Sequence, residues 1–335
     1  MFTVISDLHL GAIRSSGTTP ATQWALRQHV LQEFAGLLPT EGDLLINGDL
    51  FDTANVPISD VLKTYEILSD WLESHPSSKL YNSAGNHDLA KTSTTLSSFQ
   101  FLGKLLSRNF PERYVHIEQP TMTPYGYVIP HLVNQDVFDA ALAATPKCEY
   151  VFLHANYDNF FAKQADQSLN VSKEQAAALP CKTVIFGHEH HARRLGKVLI
   201  PGNQLATSVS DWLSDGDKYK VVIRGGFGVH FETTAIRDQE FVEMSWRDLQ
   251  PTGHKFIRVN GSATQEEAHE VVNAIAAFRR TSEAFVITNA VQIASVEGLS
   301  ADFESTLEAA KGFDVIKCLL DTLDAEERVV VEGLL

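Results

Sequence analysis

The 335 residues, 44% of them hydrophobic, can fill the core of one large domain and a smaller one. Forty-two acidic residues against 27 basic ones leave a net charge of −15, which argues against a generic nucleic-acid binder, since phosphate contacts need Lys and Arg. No apolar run reaches the roughly 18 residues of a membrane span, and three scattered cysteines, Cys148, Cys181 and Cys318, lack metal-ligand spacing and read as free thiols of a reducing cytosol.

The chain opens on an apolar run, Phe2–Ile5, expected to be a strand. A strand so early leaves no room for a signal peptide, so a cytoplasmic protein is expected. Asp7-Leu8-His9 follows it. An amphipathic helix is expected over 21–38. A strand over 44–46 then leads into Gly48-Asp49-Leu50-Phe51-Asp52. Helix Ile58–Ser74 follows. A strand over 80–82 leads into Gly85-Asn86-His87-Asp88. Helices are expected over 96–108 and 137–144. The apolar run 150–153 ends in a lone His154, and the run 184–186 ends in Gly187-His188-Glu189-His190. From Lys218 strands run to about residue 236. Residues 237–253 are polar and read as a linker. A βαβ-like unit follows, with strand 256–259, helix 266–280 and strand 284–295. In 312–323, Phe313, Ile316, Leu320 and Leu323 share one helical face.

Five clusters of metal-type ligands thus stand at the ends of five apolar runs. Short, apolar, β-branched runs are the pattern of buried strands. In an open α/β sheet, sites form outside the carboxyl ends of the strands, so groups far apart in sequence can converge. Imidazole, carboxylate and amide together suit borderline ions such as Mn²⁺, Fe²⁺ or Zn²⁺. Taken singly, each cluster has a plainer reading. Gly-Asp-Leu-Phe-Asp could be a capped turn, His154 a core histidine, and Gly-His-Glu-His a polar hairpin tip. In this order, each behind a strand, they point to a two-metal phosphoesterase site. Basic residues near the clusters, Arg14, Lys91, Arg193, Arg194 and Lys197, are candidates for contacting nucleic acid. His131, Glu189 and His191 read as solvated or groove-facing.

These motifs resemble the calcineurin-like metallophosphoesterase superfamily. Ser6-Asp7-Leu8-His9-Leu10-Gly11, and Gly187-His188-Glu189-His190 with Ile200-Pro201-Gly202-Asn203, are most similar to its SbcD-type branch of DNA double-strand-break repair nucleases, including compact bacteriophage versions. The Ser-rich 207–210 and Lys218–Ile223 follow in that branch's order. The resemblance implies a four-layer α/β/β/α sandwich over 1–236, a small α+β capping domain over 254–298, and a C-terminal helical partner-binding segment over 300–335. It implies that Asp7, His9, Asp49 and His190 hold one divalent ion, Mn²⁺ above all. Asp49, Asn86, His154 and His188 would hold the other, with Asp49 bridging. His87 would contact the phosphate and help protonate the leaving oxygen, and Asp88 would orient it. Asp52 stands where the branch often has His, and it would lie behind the ligands. The implied activity is exonuclease and endonuclease cutting of DNA, 3′-5′, in repair or recombination. The implied partners are an SbcC-like coiled-coil ATPase, gripped by Phe313, Ile316, Leu320 and Leu323, and a second copy of the chain. Dimer contacts would come from helix Ile58–Ser74 and from Leu96, Phe99 and Leu102. A small-molecule phosphodiesterase or phosphatase of the same superfamily is the competing reading, and a non-catalytic metal-binding scaffold a more distant one.

Overall fold

The computed structural model describes residues 1–12, 20–90, 95–159, 168–205, 218–225, 228–234 and 241–294. Arg14, Lys91, the Ser-rich 207–210, Cys318 and the tail bearing Phe313, Ile316, Leu320 and Leu323 lie outside them. Among the described residues no helix is long and apolar enough to cross a membrane.

The first half alternates strand and helix: β1 Phe2–Ile5, α1 Pro20–Leu37, β2 Asp43–Asn47, α2 Ile58–Ser74, β3 Leu80–Ser83, α3 Ser98–Asn109 and β4 Tyr114–Ile117. Next come β5 Thr121–Thr123, β6 Gly126–Ile129, α4 Gln135–Ala143 and β7 Tyr150–His154. The short β8 Asn156–Tyr157 and β9 Asn170–Val171 pair with each other, followed by α5 Lys173–Ala178. β10 Thr183–Gly187, β11 Arg193–Leu195, β12 Val198–Ile200, β13 Lys218–Arg224 and β14 Gly228–Thr234 complete this part. Each strand and helix expected over 1–236 exists, most with ends shifted by one or two residues, while the expected strand 284–295 is two short strands. Helix α3 starts at Ser98 rather than 96 because the Ser97 and Gln100 side chains cap each other's backbone N–H groups.

Two six-stranded sheets result, in orders β14-β13-β1-β2-β3-β4 and β11-β12-β10-β7-β6-β5. The period of two along a strand sorts the apolar residues. Leu44, Ile46 and Leu80 meet Leu26, Val30 and Phe34 of α1, Val61 and Leu68 of α2, and Phe99 and Leu102 of α3. The alternate residues Val4, Leu45 and Tyr81 meet Phe152, Ile185 and Leu199 of the second sheet. That sheet's Val151, Leu153, Val184 and Phe186 pack with Phe138 of α4 and Ala176 of α5. Parallel pairing of β1 with β2, β2 with β3, and β7 with β10 brings the ligand-bearing ends level, with His154 beside Gly187.

Two expectations change here. Phe99 and Leu102, assigned to a dimer surface, are fully buried in the chain's own core, whereas Ile58, Leu62, Leu96 and Phe101 stay exposed. The stretch read as a linker also contributes structure. β15 Phe241–Ser245 pairs in parallel with β16 Phe256–Asn260, which pairs in parallel with β18 Val286–Asn289. Trp246, in the short 3₁₀ turn after β15, enters this unit's core with Ile257, Val259, Ile287 and the α6 (Ala268–Thr281) residues Val271, Ile275 and Phe278. β17 Ser262–Ala263 and β19 Gln292–Ile293 form a two-residue ladder beside it. Charged Glu243 and Arg247 make 241–253 look polar, but Phe241, Val242, Met244 and Trp246 supply the apolar alternation of a strand and its exit. Phe241, Phe256 and Val286 join the α1 cluster, with the His29 and Phe285 rings 5.3 Å apart.

Candidate metal centre

The loop after β1 is laced to the loop after β2. Asp7 N–H donates to the Gly48 carbonyl, Leu8 and His9 N–H to that of Asp49, and Leu10 N–H to that of Leu50, all within 3.1 Å. Only sharp turns let both loops do this. Asp7, His9, Asp49 and His188 sit at φ 53°, 47°, 51° and 87°. This left-handed region is uncommon outside glycine, and Asp and His tolerate it better than most residues. Each such residue costs on the order of 1–3 kcal/mol, and such strain gathers at functional sites. Glycines are sterically required here. A Cβ on Gly48 (φ 91°) would stand 2.1 Å from His154 Nδ1, and one on Gly85 2.1 Å from Asp49 Oδ1.

His154 is fully buried at the end of β7. Its Nδ1 lies 3.0 Å from the Asn47 carbonyl, so Nδ1 carries a proton and Nε2 is the ring atom turned to the site. A satisfied core histidine would stop there. Here Nε2 lies 3.3 Å from Asp49 Oδ2 and 3.0 Å from Asn86 Oδ1. His188 Nδ1 faces the same Asn86 oxygen at 2.9 Å, while its backbone N–H donates to both Asp7 carboxylate oxygens. On the other side His9 Nε2 and His190 Nε2 are 3.2 Å apart, and His9 Nε2 is 3.9 Å from Asp49 Oδ2. One Asp49 oxygen therefore stands between two imidazole-bearing groups.

Ligand atoms of Asp7, His9 and His190 lie within 4.8 Å of one another, as do those of Asp49, His154 and His188. A third triplet, His9, Asp52 and His87, meets the same condition. Nitrogens facing one another and converging on shared oxygens are a poor arrangement without a cation and a good one around it. The mixed nitrogen and oxygen set suits a borderline divalent ion. The charges agree. Burial alone would raise the Asp49 carboxyl, but His154 and then His9 hold it well below the usual carboxylate range. Burial works against a charged His154, yet Asp49 keeps its pKa up at about 9.

His87 is anchored twice, by its backbone N–H and by one ring nitrogen. Its N–H donates to Asp49 Oδ1 at 2.9 Å, and its Nδ1 meets the Asp52 carbonyl at 2.6 Å. Its ring stands perpendicular to that of His9, with centroids 4.9 Å apart. Asp52 thus works through its backbone on His87, while its Oδ1 lies 3.4 Å from His9 Nδ1.

The structure corrects the role given to Asp88. Its carboxylate is fully buried and accepts from the Gly85, Leu50 and Phe51 N–H groups at 2.9, 3.3 and 3.0 Å. It ties the loop after β3 to the loop after β2, and the Asp52 carbonyl orients His87 instead. Burial and then the Asp49 charge push the Asp88 carboxyl up to about 7. Asp88→Ala should strand three buried donors and lower folding stability by about 2–5 kcal/mol. Urea melts of the metal-free variant would show this. An unchanged midpoint with lost turnover would return Asp88 to the chemistry.

Other sequence assignments shift too. Arg193 forms an ion pair with Glu189, whose carboxylate also accepts the Tyr157 N–H, so both have structural partners. Arg194 is exposed. His131 is largely withdrawn from solvent, and burial followed by the His154 charge lowers its pKa to about 4. Asn47 and Gln204 were missed. Asn47 presents the carbonyl that orients His154, and the Gln204 side chain accepts the Ser6 N–H, next to Asp7. A backbone role such as that of Asn47 leaves no mark on residue type.

The calcineurin-like phosphoesterase family model matches residues 1–241, ending where β15 begins. No curated protein matches the chain. The chain belongs to the calcineurin-like phosphoesterase family.

Proposed function

We propose that this calcineurin-like phosphoesterase is the nuclease subunit of an SbcCD-like repair or recombination complex, cutting DNA phosphodiesters at a two-metal site in a four-layer α/β/β/α domain. The observation that carries metal-dependent hydrolysis is the single Asp49 oxygen between the His9/His190 and His154/His188 groups. In this reading Asp7, His9, Asp49 and His190 hold one ion, and Asp49, Asn86, His154 and His188 the other. Two divalent ions, when bound, acidify water and stabilise the attacking and leaving oxygens of an in-line displacement.

The chain's own residues do the rest. The Asp52 carbonyl accepts a hydrogen bond from His87 Nδ1–H and so turns Nε2 to the phosphate, where the imidazolium would give its Nε2 proton to the leaving oxygen. Gly48 and Gly85 let the loops close around Asp49. What favours DNA over a small substrate is the SbcD-like pair of segments 6–11 and 187–203, together with a further α/β unit over 241–294, packed on α1, that we read as a cap. Of the basic candidates in the described residues, Arg194 is exposed for a phosphate, whereas Arg193 serves Glu189. With few cations near the site among the described residues, on a chain of net charge −15, the enzyme works held to DNA by a coiled-coil ATPase, as a cytoplasmic homodimer that uses Ile58, Leu62, Leu96 and Phe101.

The test is to incubate the pure protein, with Mn²⁺ or Mg²⁺, with linear duplex DNA, single strands, cyclic nucleotides and bis-p-nitrophenyl phosphate. Mn²⁺ should support DNA degradation and Mg²⁺ much less, because imidazole-rich sites favour transition metals over ions that prefer oxygen shells. Cyclic-nucleotide hydrolysis with no DNA cut would select the small-molecule reading. The partner is tested separately. Deleting residues from about 300 should abolish ATPase binding and spare Mn²⁺-dependent cutting, an amphipathic helix in a groove being a common docking mode. Full-strength co-purification after the deletion would remove the tail from the interface.

A further inference from the structure

Away from the metal centre, two cysteines stand close together. β7 and β10 run parallel with Tyr150 beside Thr183. The pairing continues ahead of the strands. Cys148 N–H donates to the Pro180 carbonyl at 3.2 Å, and the Lys182 and Thr183 N–H groups donate to that of Glu149 at 3.0 and 3.1 Å. These bonds set the Cys148 backbone beside Pro180 and Cys181, ahead of the regular ladder. Both side chains are half-buried and pack on the same apolar cluster, so they share a face. Adjacent strands lie about 4.7–4.9 Å apart, within the Cα separations of roughly 4.4–6.8 Å that a disulfide spans.

The surroundings differ for the two thiols. Burial pushes both up, and each lies close enough for Cys148 to raise Cys181 further. Lys197 works the other way on Cys181 alone. Its Nζ is held by the Ala177 and Leu179 carbonyls at 2.9 and 2.8 Å. Lys182, next to Cys181 in the chain, lines a groove of about 190 Å³ with Arg194 and Lys197, and pairs there with Glu149.

We propose that Cys148 and Cys181 form a redox dithiol that closes to an intrachain disulfide by exchange with a small anionic disulfide. The Cys181 thiolate attacks one sulfur of the external disulfide, whose S–S bond breaks and releases one thiolate. The Cys148 thiolate then attacks Cys181 Sγ and expels the second. Two protein thiols are oxidised, one external disulfide is reduced to two thiols, and the cysteine protons pass to the departing thiolates. The bridge lies at the starts of β7 and β10, whose other ends carry His154 and His188. It would close residues 149–180 into a loop and so restrict the unfolded chain.

The experiment uses full-length folded protein carrying Cys318→Ser, exposed to oxidised glutathione and then digested without reductant for mass spectrometry. The expected product is a linked Cys148–Cys181 peptide pair lacking two hydrogens, with no glutathione retained. Adding Cys148→Ser should leave glutathione trapped on Cys181. The oxidised protein should unfold at higher urea than the reduced one, and reductant should reverse this. Oxidised glutathione should react several-fold faster than neutral hydroxyethyl disulfide. Stable glutathione on either cysteine while both are present, or linkage only after unfolding in urea, overturns the proposal. Equal rates for the two reagents overturn its anionic preference.

Discussion

Asp49→Ala should empty both metal positions and abolish hydrolysis. Its Oδ2 lies between the two groups, 3.9 Å from His9 Nε2 and 3.3 Å from His154 Nε2. Its other oxygen accepts the His87 N–H, so the same change also loosens the His87 loop. Removing partners that only support ligands typically lowers metal affinity or activity about 10–100-fold. Losing a shared ligand should exceed that range. Metal counting by mass spectrometry on dialysed protein should fall from two ions towards none, with DNA cutting below detection in Mn²⁺. Asp49→Asn separates charge from shape. It can keep the bond from His87 N–H, yet it brings no negative charge to a pocket where His154 relies on that charge. Two ions retained by either variant would mean that the groups bind independently and that Asp49 is no bridge.

Much of this site was legible because ligand chemistry constrains residue type. Asp, His and Asn behind Gly at the ends of apolar runs can be read without coordinates, and the parallel registers explain why runs 150 residues apart deliver them to one place. What stayed hidden is carried by the backbone. Asn47 and Asp52 orient His154 and His87 with their carbonyls, and every residue has one. Asp88 shows the opposite difficulty. Its position next to His87 suggested a side-chain pair, but neighbours in a tight turn point apart, and three unpaired N–H groups were nearer. The fold gives the same lesson. Periodicity located α3, yet it could not say which way Phe99 and Leu102 face, because a core stripe and a dimer stripe have the same spacing. Charged residues at 243 and 247 hid a strand that only its partners at 256–260 make evident.

His87→Ala divides the chemistry from the metal. Its loss should leave two ions bound, since its Nδ1 belongs to the Asp52 carbonyl and the two ligand groups are complete without it. Turnover on DNA should fall by roughly 10²–10⁴-fold, the usual contribution of a general acid. The size of the fall should depend on the leaving group. A deoxyribose alkoxide needs a proton as it departs, whereas p-nitrophenolate leaves well without one. Bis-p-nitrophenyl phosphate should therefore lose much less than DNA in the same variant. The pairing of the two substrates makes the test specific, because loosened packing would slow both alike. The rival is visible in the structure itself. His87 with His9 and Asp52 forms a third group of possible ligands within 4.8 Å. If His87 were a ligand there, the variant would lose metal, and both substrates would slow together. Metal content and the ratio of the two rates, measured on one preparation, decide between an acid and a ligand.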